Sequence, residues 1–210
     1  MSIADLRREY TLNGLSEAAA SGDPIALFER WFRDAIDSNL PLPNAMTLAT
    51  ATPRGLPDAR VVLLKGIEAG SFVFYTSYLS RKGRELEQNP LACLVFLWTE
   101  LERQVRIEGS VEKVDAAASD AYFATRPLGA RLSAWASAQS EPVSGREELE
   151  RALEAAEARY GENPPRPAHW GGYRVVPASI EFWQGRENRL HDRLLYRRAD
   201  GGWKIERLAP

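Results

Sequence analysis

From Ala45 onward the chain is a succession of strand-like runs broken by turn signals, with short helices set between them. That pattern restricts the fold more than any other feature. Residues 45–52 read as one strand, Pro53-Arg54-Gly55 as a turn, and 59–64 and 71–76 as two more strands. Strands are also expected over 91–98, 104–114, 172–182, 189–197 and 203–208. Strands joined by short turns pair antiparallel. Helices are expected where polar caps precede them. Asp23 with Pro24 opens one whose apolar residues Ile25, Phe28, Trp31, Phe32, Ala35 and Ile36 fall at helical spacing. Ser80 caps a second, which Asn89-Pro90 stops at Gln88. Others cover 115–125 and 130–138, and Ser144 with Glu147 reads as a capping box opening a helix to about Tyr160. No glycine-rich loop follows a strand and opens a helix, so neither a dinucleotide site nor a P-loop is supported. The expected class is mainly β with helical additions (α+β), a small antiparallel barrel. Residues 1–22 read as a loosely held arm and 23–210 as a single domain.

A chain of 210 residues can bury roughly 70% of its unfolded surface, enough for a core without staples. The formal net charge of −2 gives no global basic field for nucleic acid, so basic clusters are read as local sites for small anions. Cys93 lies in the apolar run 91–96 and reads as an inert core residue. One cysteine and two histidines argue against a zinc site. The N-terminus shows no apolar leader, and no stretch approaches the roughly 20 apolar residues of a membrane span. A cytoplasmic protein without membrane or nucleic-acid partners is expected.

Five clusters could carry chemistry. In an extended strand, Arg189, His191 and Arg193 share one face while Leu190, Asp192 and Leu194 point the other way. Two guanidiniums and an imidazole repel one another unless an anion or a planar electron-rich ligand covers them. The same run also fits a solvated edge strand whose arginines pair with nearby acids. Arg60 and Lys65 bracket the apolar Val61-Val62-Leu63-Leu64 and fall on opposite strand faces. Tyr75-Thr76 followed by Ser80-Arg81-Lys82 places hydroxyls, cations and a helix start together, either a phosphate cradle or a capped surface helix. Gln104 and Arg106 share a strand face, where the Gln104 amide either addresses a heterocycle edge or is an ordinary polar sheet residue. Tyr122 and Arg126 stand four apart on an expected helix, a phenol beside a guanidinium, either a phosphate clamp or plain packing.

Together these make two anion sites with planar and amide groups between them. In this order, with Gln139-Ser140, Glu181-Phe182-Trp183 and the ending Arg207-Leu208, they resemble the pyridoxamine 5′-phosphate oxidase family, from Arg7 to Pro210. The resemblance implies a homodimer of FMN-binding split β-barrels with the flavin at the subunit interface. It implies oxidation of pyridoxine or pyridoxamine 5′-phosphate to pyridoxal 5′-phosphate by hydride transfer from C4′ to flavin N5. Dioxygen would be the final acceptor, with hydrogen peroxide released, and ammonia from the amine. By resemblance Arg60, Thr76, Arg81 and Lys82 hold the flavin phosphate, and the stretch from Val61 through Val62, Leu63 and Leu64 to Lys65, with Tyr75, lines the cofactor. Gln104 addresses the ring system, and Gln139, Ser140, Trp183 and Arg193 complete that site, some from the partner chain. Lys65, Tyr122 and Arg126 grip the substrate phosphate; Arg189, Leu190 and His191 wall the pyridine ring, with Arg189 and His191 as the catalytic pair. Arg7, Arg8, Glu9 and Tyr10 match a lid over the substrate. One departure stands out: Ala130 occupies a substrate-phosphate position where the family pattern has serine. Two rival readings are a related oxidase acting on another aromatic, as in phenazine formation, and a non-catalytic split barrel. The first would not need Lys65, Tyr122 and Arg126, and the second would not need Arg189 and His191.

Overall fold

The structure is a computed structural model that describes residues 2–3, 9–12 and 14–210. Helix α1 (Pro24–Asp37) starts where Asp23 Oδ1 accepts a hydrogen bond from the Ile25 N–H at 2.9 Å. Its apolar stripe enters the core, with Phe28 against Phe72 and Phe96 and Trp31 edge-on to Phe182.

Among the described residues, nine strands form one sheet: β1 (Ala45–Ala51), β2 (Pro57–Leu63), β3 (Gly66–Glu68), β4 (Ser71–Ser77), β5 (Leu91–Trp98), β6 (Arg103–Lys113), β7 (Trp170–Gln184), β8 (Asp192–Ala199) and β9 (Gly202–Arg207). Every pairing is antiparallel, in the order β2-β1-β5-β6-β7-β4-β3, with β8 on β7 and β9 on β8. Helices α2 (Arg81–Gln88), α3 (Ala116–Ala124), α4 (Leu128–Ala136) and α5 (Arg146–Tyr160) fill the connections. The mainly β class with helical additions holds, as an antiparallel half-barrel.

Strand β7 organises the sheet. One edge pairs with β6 along its length; the other pairs with β4 from Trp170 to Val175 and with β8 from Ser179 to Gln184. The change of partner coincides with a register shift between Glu108 and Gly109. A Cβ on Gly109 would lie 2.0 Å from the Val176 carbonyl oxygen, so only glycine lets the two strands approach there.

Four expectations change. The strand expected from Arg189 begins at Asp192, because Asn188 and Arg189 adopt left-handed backbone (φ 55° and 60°) in a 3₁₀ turn over Glu187–Arg189. The side chains of Arg189, His191 and Arg193 therefore do not alternate as one strand face. Cys93 is half-buried on the outer face of β5, since Ala92, Leu94 and Phe96 take the inner positions. At α5, Ser144 N and Oγ both donate to Glu148 at 2.8 and 2.6 Å, one residue beyond the expected Glu147. Part of the expected arm is pinned: Leu15 packs into the core, and Glu17 is bridged by Arg207. Among the described residues, no helix is long and apolar enough to cross a membrane.

Candidate functional site

Most of the described residues singled out above gather at the two ends of β7. At its start, β4 lies alongside, with Thr76 opposite Gly171 and Ser77 opposite Trp170. Here α2 begins, capped by Ser80 Oγ, which accepts from the Gly83 N–H. Lys82 is buried beneath this turn. Its Nζ donates to the hydroxyls of Thr76 (3.3 Å) and Ser80 (3.5 Å), and it makes no salt bridge among the described residues. Burial, and then the nearby charge of Arg60, hold its pKa below the usual lysine value. Gln139 joins the cluster, accepting from Thr76 Oγ1 at 3.0 Å, while Ser140 follows it in left-handed backbone.

Arg60 and Arg81 are held differently. Arg60 bonds Thr50 Oγ1 at 2.6 Å and pairs with Asp58 and with Glu85. Arg81 Nε lies 3.1 Å from both of those carboxylates. Two cations and two acids balance, which leaves the buried Lys82 as the uncompensated charge. An ammonium buried with hydroxyl partners, at a helix N-terminus, fits a phosphate. Of the apolar residues between Arg60 and Lys65, Val61 is exposed, Val62 and Leu63 are half-buried, and Leu64 joins the core.

Next to this cradle lies an aromatic group. Tyr75 stacks on Tyr122 with ring centroids 3.9 Å apart, and both rings run nearly parallel to Trp170. A Cβ on Gly172 would sit 2.8 Å from the Tyr75 ring, so glycine makes room for the stack. Helix α3 ends at Ala124, so Arg126 lies past the helix and is not placed by helical spacing from Tyr122. Its guanidinium instead covers the Trp170 face, 4.4 Å from the centroid, and its Nη1 is buried with no hydrogen-bond partner. Ala130 stands in the first turn of α4, and the neighbouring Arg131 is tied to the Glu162 carbonyl at 3.2 Å. Lys65 is exposed on a cleft of about 660 Å³ that it shares with Arg33 and Asn44, apart from the ring stack.

The far end of β7 carries the other residues. Trp183 packs against His191 (4.7 Å), and Tyr10 lies edge-on to both. His191 Nδ1 accepts from the Arg186 N–H at 3.1 Å, which leaves Nε2 as the N–H of the neutral ring. Partial burial, then the charge of Arg189, keep His191 below its usual pKa. Gln104, Trp183 and Tyr10 line a cleft of about 390 Å³. Arg193 is locked to Glu181 at 2.8 Å and to the Ala209 carbonyl at 2.9 Å. Arg189 and Leu190 are exposed, as is Glu9; Arg7 and Arg8 lie outside the described residues.

Trp170, Asp58 and Glu85 were not anticipated. Their signals were the Trp170-Gly171-Gly172 run behind the prolines and the acids at 58 and 85, none of which stands out without knowing which strands meet.

Residues 32–170 match the family model described as pyridoxamine 5′-phosphate oxidase, and 170–210 match the pyridoxine 5′-phosphate oxidase C-terminal dimerisation region. The chain is 61% identical over 208 residues to a pyridoxine/pyridoxamine 5′-phosphate oxidase of Thermosynechococcus vestitus, covering 99% of each. It is 60% identical over 209 residues to the protein of that name from Cupriavidus pinatubonensis, again covering 99% of each. Among solved structures it resembles PhzG from Burkholderia lata in complex with tetrahydrophenazine-1-carboxylic acid. That match has a TM-score of 0.90 and 32% identity, and covers 97% of this chain and 100% of the other. Fold, residue order and relatives agree: the chain belongs to the pyridoxamine 5′-phosphate oxidase family.

Proposed function

We propose that this chain is an FMN-dependent oxidase that converts pyridoxine 5′-phosphate or pyridoxamine 5′-phosphate to pyridoxal 5′-phosphate. The observation that carries this reading is a pair of cations without a counter-ion, one buried and one half-buried. Lys82 has hydroxyl partners alone, and Arg126 has an orphaned Nη1, both at the β4–β7 end. Leaving such donors unmatched is costly unless a ligand satisfies them. Two phosphates, one on the cofactor and one on the substrate, would do so. The relatives near 60% identity carry the name of this activity, which sets it ahead of phenazine chemistry.

In this reading Lys82, Thr76, Arg60 and Arg81 hold the FMN phosphate. Gln104, Gln139, Ser140, Trp183 and Arg193 frame the flavin together with the segment 61–65. Tyr122, Arg126 and Lys65 take the substrate phosphate, while Arg189 and His191, with Leu190 between them, orient the pyridine ring. Tyr10 already contacts His191 and Trp183, the position a lid would take. FMN supplies, when bound, a hydride acceptor for the substrate C4′ and a route for the electrons to dioxygen.

The two halves of the substrate site stand apart on one chain. Trp170, under Arg126, and Trp183, against His191, are separated by roughly 40 Å of strand contour at about 3.3 Å per residue. A substrate of one ring and one phosphate cannot span that. Two copies related by a twofold axis, start of β7 against end of β7, bring the halves together and place FMN between subunits.

Complementation tests this. Arg126→Ala and Arg189→Ala chains, each nearly inactive at low substrate, are unfolded, mixed and refolded with FMN. Each mixed dimer would hold one intact site, so about a quarter of wild-type activity should return. No recovery, from a mixture shown to contain mixed dimers, would refute the shared site. Protein that stays colourless and inert with added FMN and pyridoxine 5′-phosphate in air would refute the activity.

A further inference from the structure

We propose that Trp170 is a positioning residue for phosphate recognition, its indole face fixing the Arg126 guanidinium so that the N–H edge stays free for the anion. This rests on the reading of Arg126 as a ligand of the substrate phosphate. Among the described residues, the Arg126 side chain makes no hydrogen bond and no salt bridge to the protein. What orients it is two aromatic faces, Trp170 at 4.4 Å and the more distant Phe123 at 5.6 Å.

The contrast with Arg60 shows what this arrangement achieves. Arg60 is held by Asp58 and Glu85, whose negative charge competes with any incoming anion. A ring face holds a guanidinium through its quadrupole, uses none of the five N–H donors and cancels no charge. Trp170 is itself rigid. It is 7% exposed, its backbone N–H donates to the Pro167 carbonyl at 3.0 Å, and its backbone carbonyl accepts from Arg166 Nη1 at 2.6 Å. Arg166 is anchored in turn by Asp120. The same indole plane lies within 4° of Tyr122 and 12° of Tyr75, so one buried ring aligns both the guanidinium and the phenol.

The test compares Trp170→Leu, Trp170→Phe and Arg126→Ala in the FMN-loaded enzyme. It reads KM and kcat for pyridoxine 5′-phosphate, the inhibition constant of inorganic phosphate, and FMN affinity. Trp170→Leu is expected to raise KM and the phosphate inhibition constant about tenfold, with kcat and FMN affinity within about twofold. Trp170→Phe, which keeps a weaker face, should fall between it and wild type. If Arg126→Ala raises KM but both Trp170 variants match wild type, the proposal is overturned and the reading of Arg126 stands. If Arg126→Ala leaves KM unchanged, that reading fails and takes the proposal with it. Loss of kcat, KM and FMN affinity together in Trp170→Phe marks a general structural role and also overturns it. Should Trp170→Leu fail to fold, the Phe variant decides: a several-fold rise in KM supports the proposal and an unchanged KM ends it.

Discussion

On the proposed function, Ala130 would let a single side chain tune the site. It stands in the first turn of α4, where the resemblance implies a serine, and its neighbour Arg131 is already engaged by the Glu162 carbonyl. A hydroxyl donated to a phosphate contributes about 1.5–3 kcal/mol. Ala130→Ser should therefore lower KM for pyridoxine 5′-phosphate by about tenfold or more with kcat little changed, measured by steady-state kinetics. At the opposite wall, Arg189→Ala should lower kcat on the order of a hundredfold, because the ring loses its alignment with the flavin. His191 is expected to titrate below 6.5 in a proton NMR titration. The fold disfavours its charged form, so its contribution to stability is full above about pH 6.5 and is lost as pH falls through the lower folded value. The sequence singled these residues out as candidates, but their arrangement was not legible in it. Arg126 was read through helical spacing from Tyr122, whereas its partner is Trp170, which only the packing of α3 against β7 brings near.

Elements with a local cause were the readable ones. Asp23 and Ser80 each cap the helix expected of them, because a capping side chain acts within three residues of itself; Asp115, expected as the first residue of its helix, caps it instead. Asp23→Ala should cost about 1 kcal/mol, seen as a lower urea midpoint with an unchanged slope. Strand β3 has three residues, too few to show alternation, and went unread. The turn over Glu187–Arg189 was missed because left-handed backbone at asparagine and arginine leaves no glycine to mark it. Strand β7 sets the strongest demand on sequence at this scale. Gly172→Ala would press a methyl group into Tyr75 and Val114, costing about 1–3 kcal/mol. The displaced stack should raise KM as well as lower the urea midpoint.

At the scale of the molecule, the proposed division of the site between the two ends of β7 would make activity a property of the pair. Dilution below the dimer dissociation constant should release FMN and abolish turnover together, with restored protein concentration or excess FMN reversing both. Flavin fluorescence followed alongside sedimentation would check this; a monomer that keeps flavin and turns over would contradict it. On the proposed activity, each cycle also releases an oxidant a few ångströms from the protein's own side chains. The lone thiol, Cys93, has its pKa pushed up to about 11 by burial. Peroxide attacks the thiolate, and at neutral pH only about one Cys93 in ten thousand carries that form. The molecule should thus survive many turnovers without forming sulfenic acid, its durability resting on a sulfur that keeps its proton.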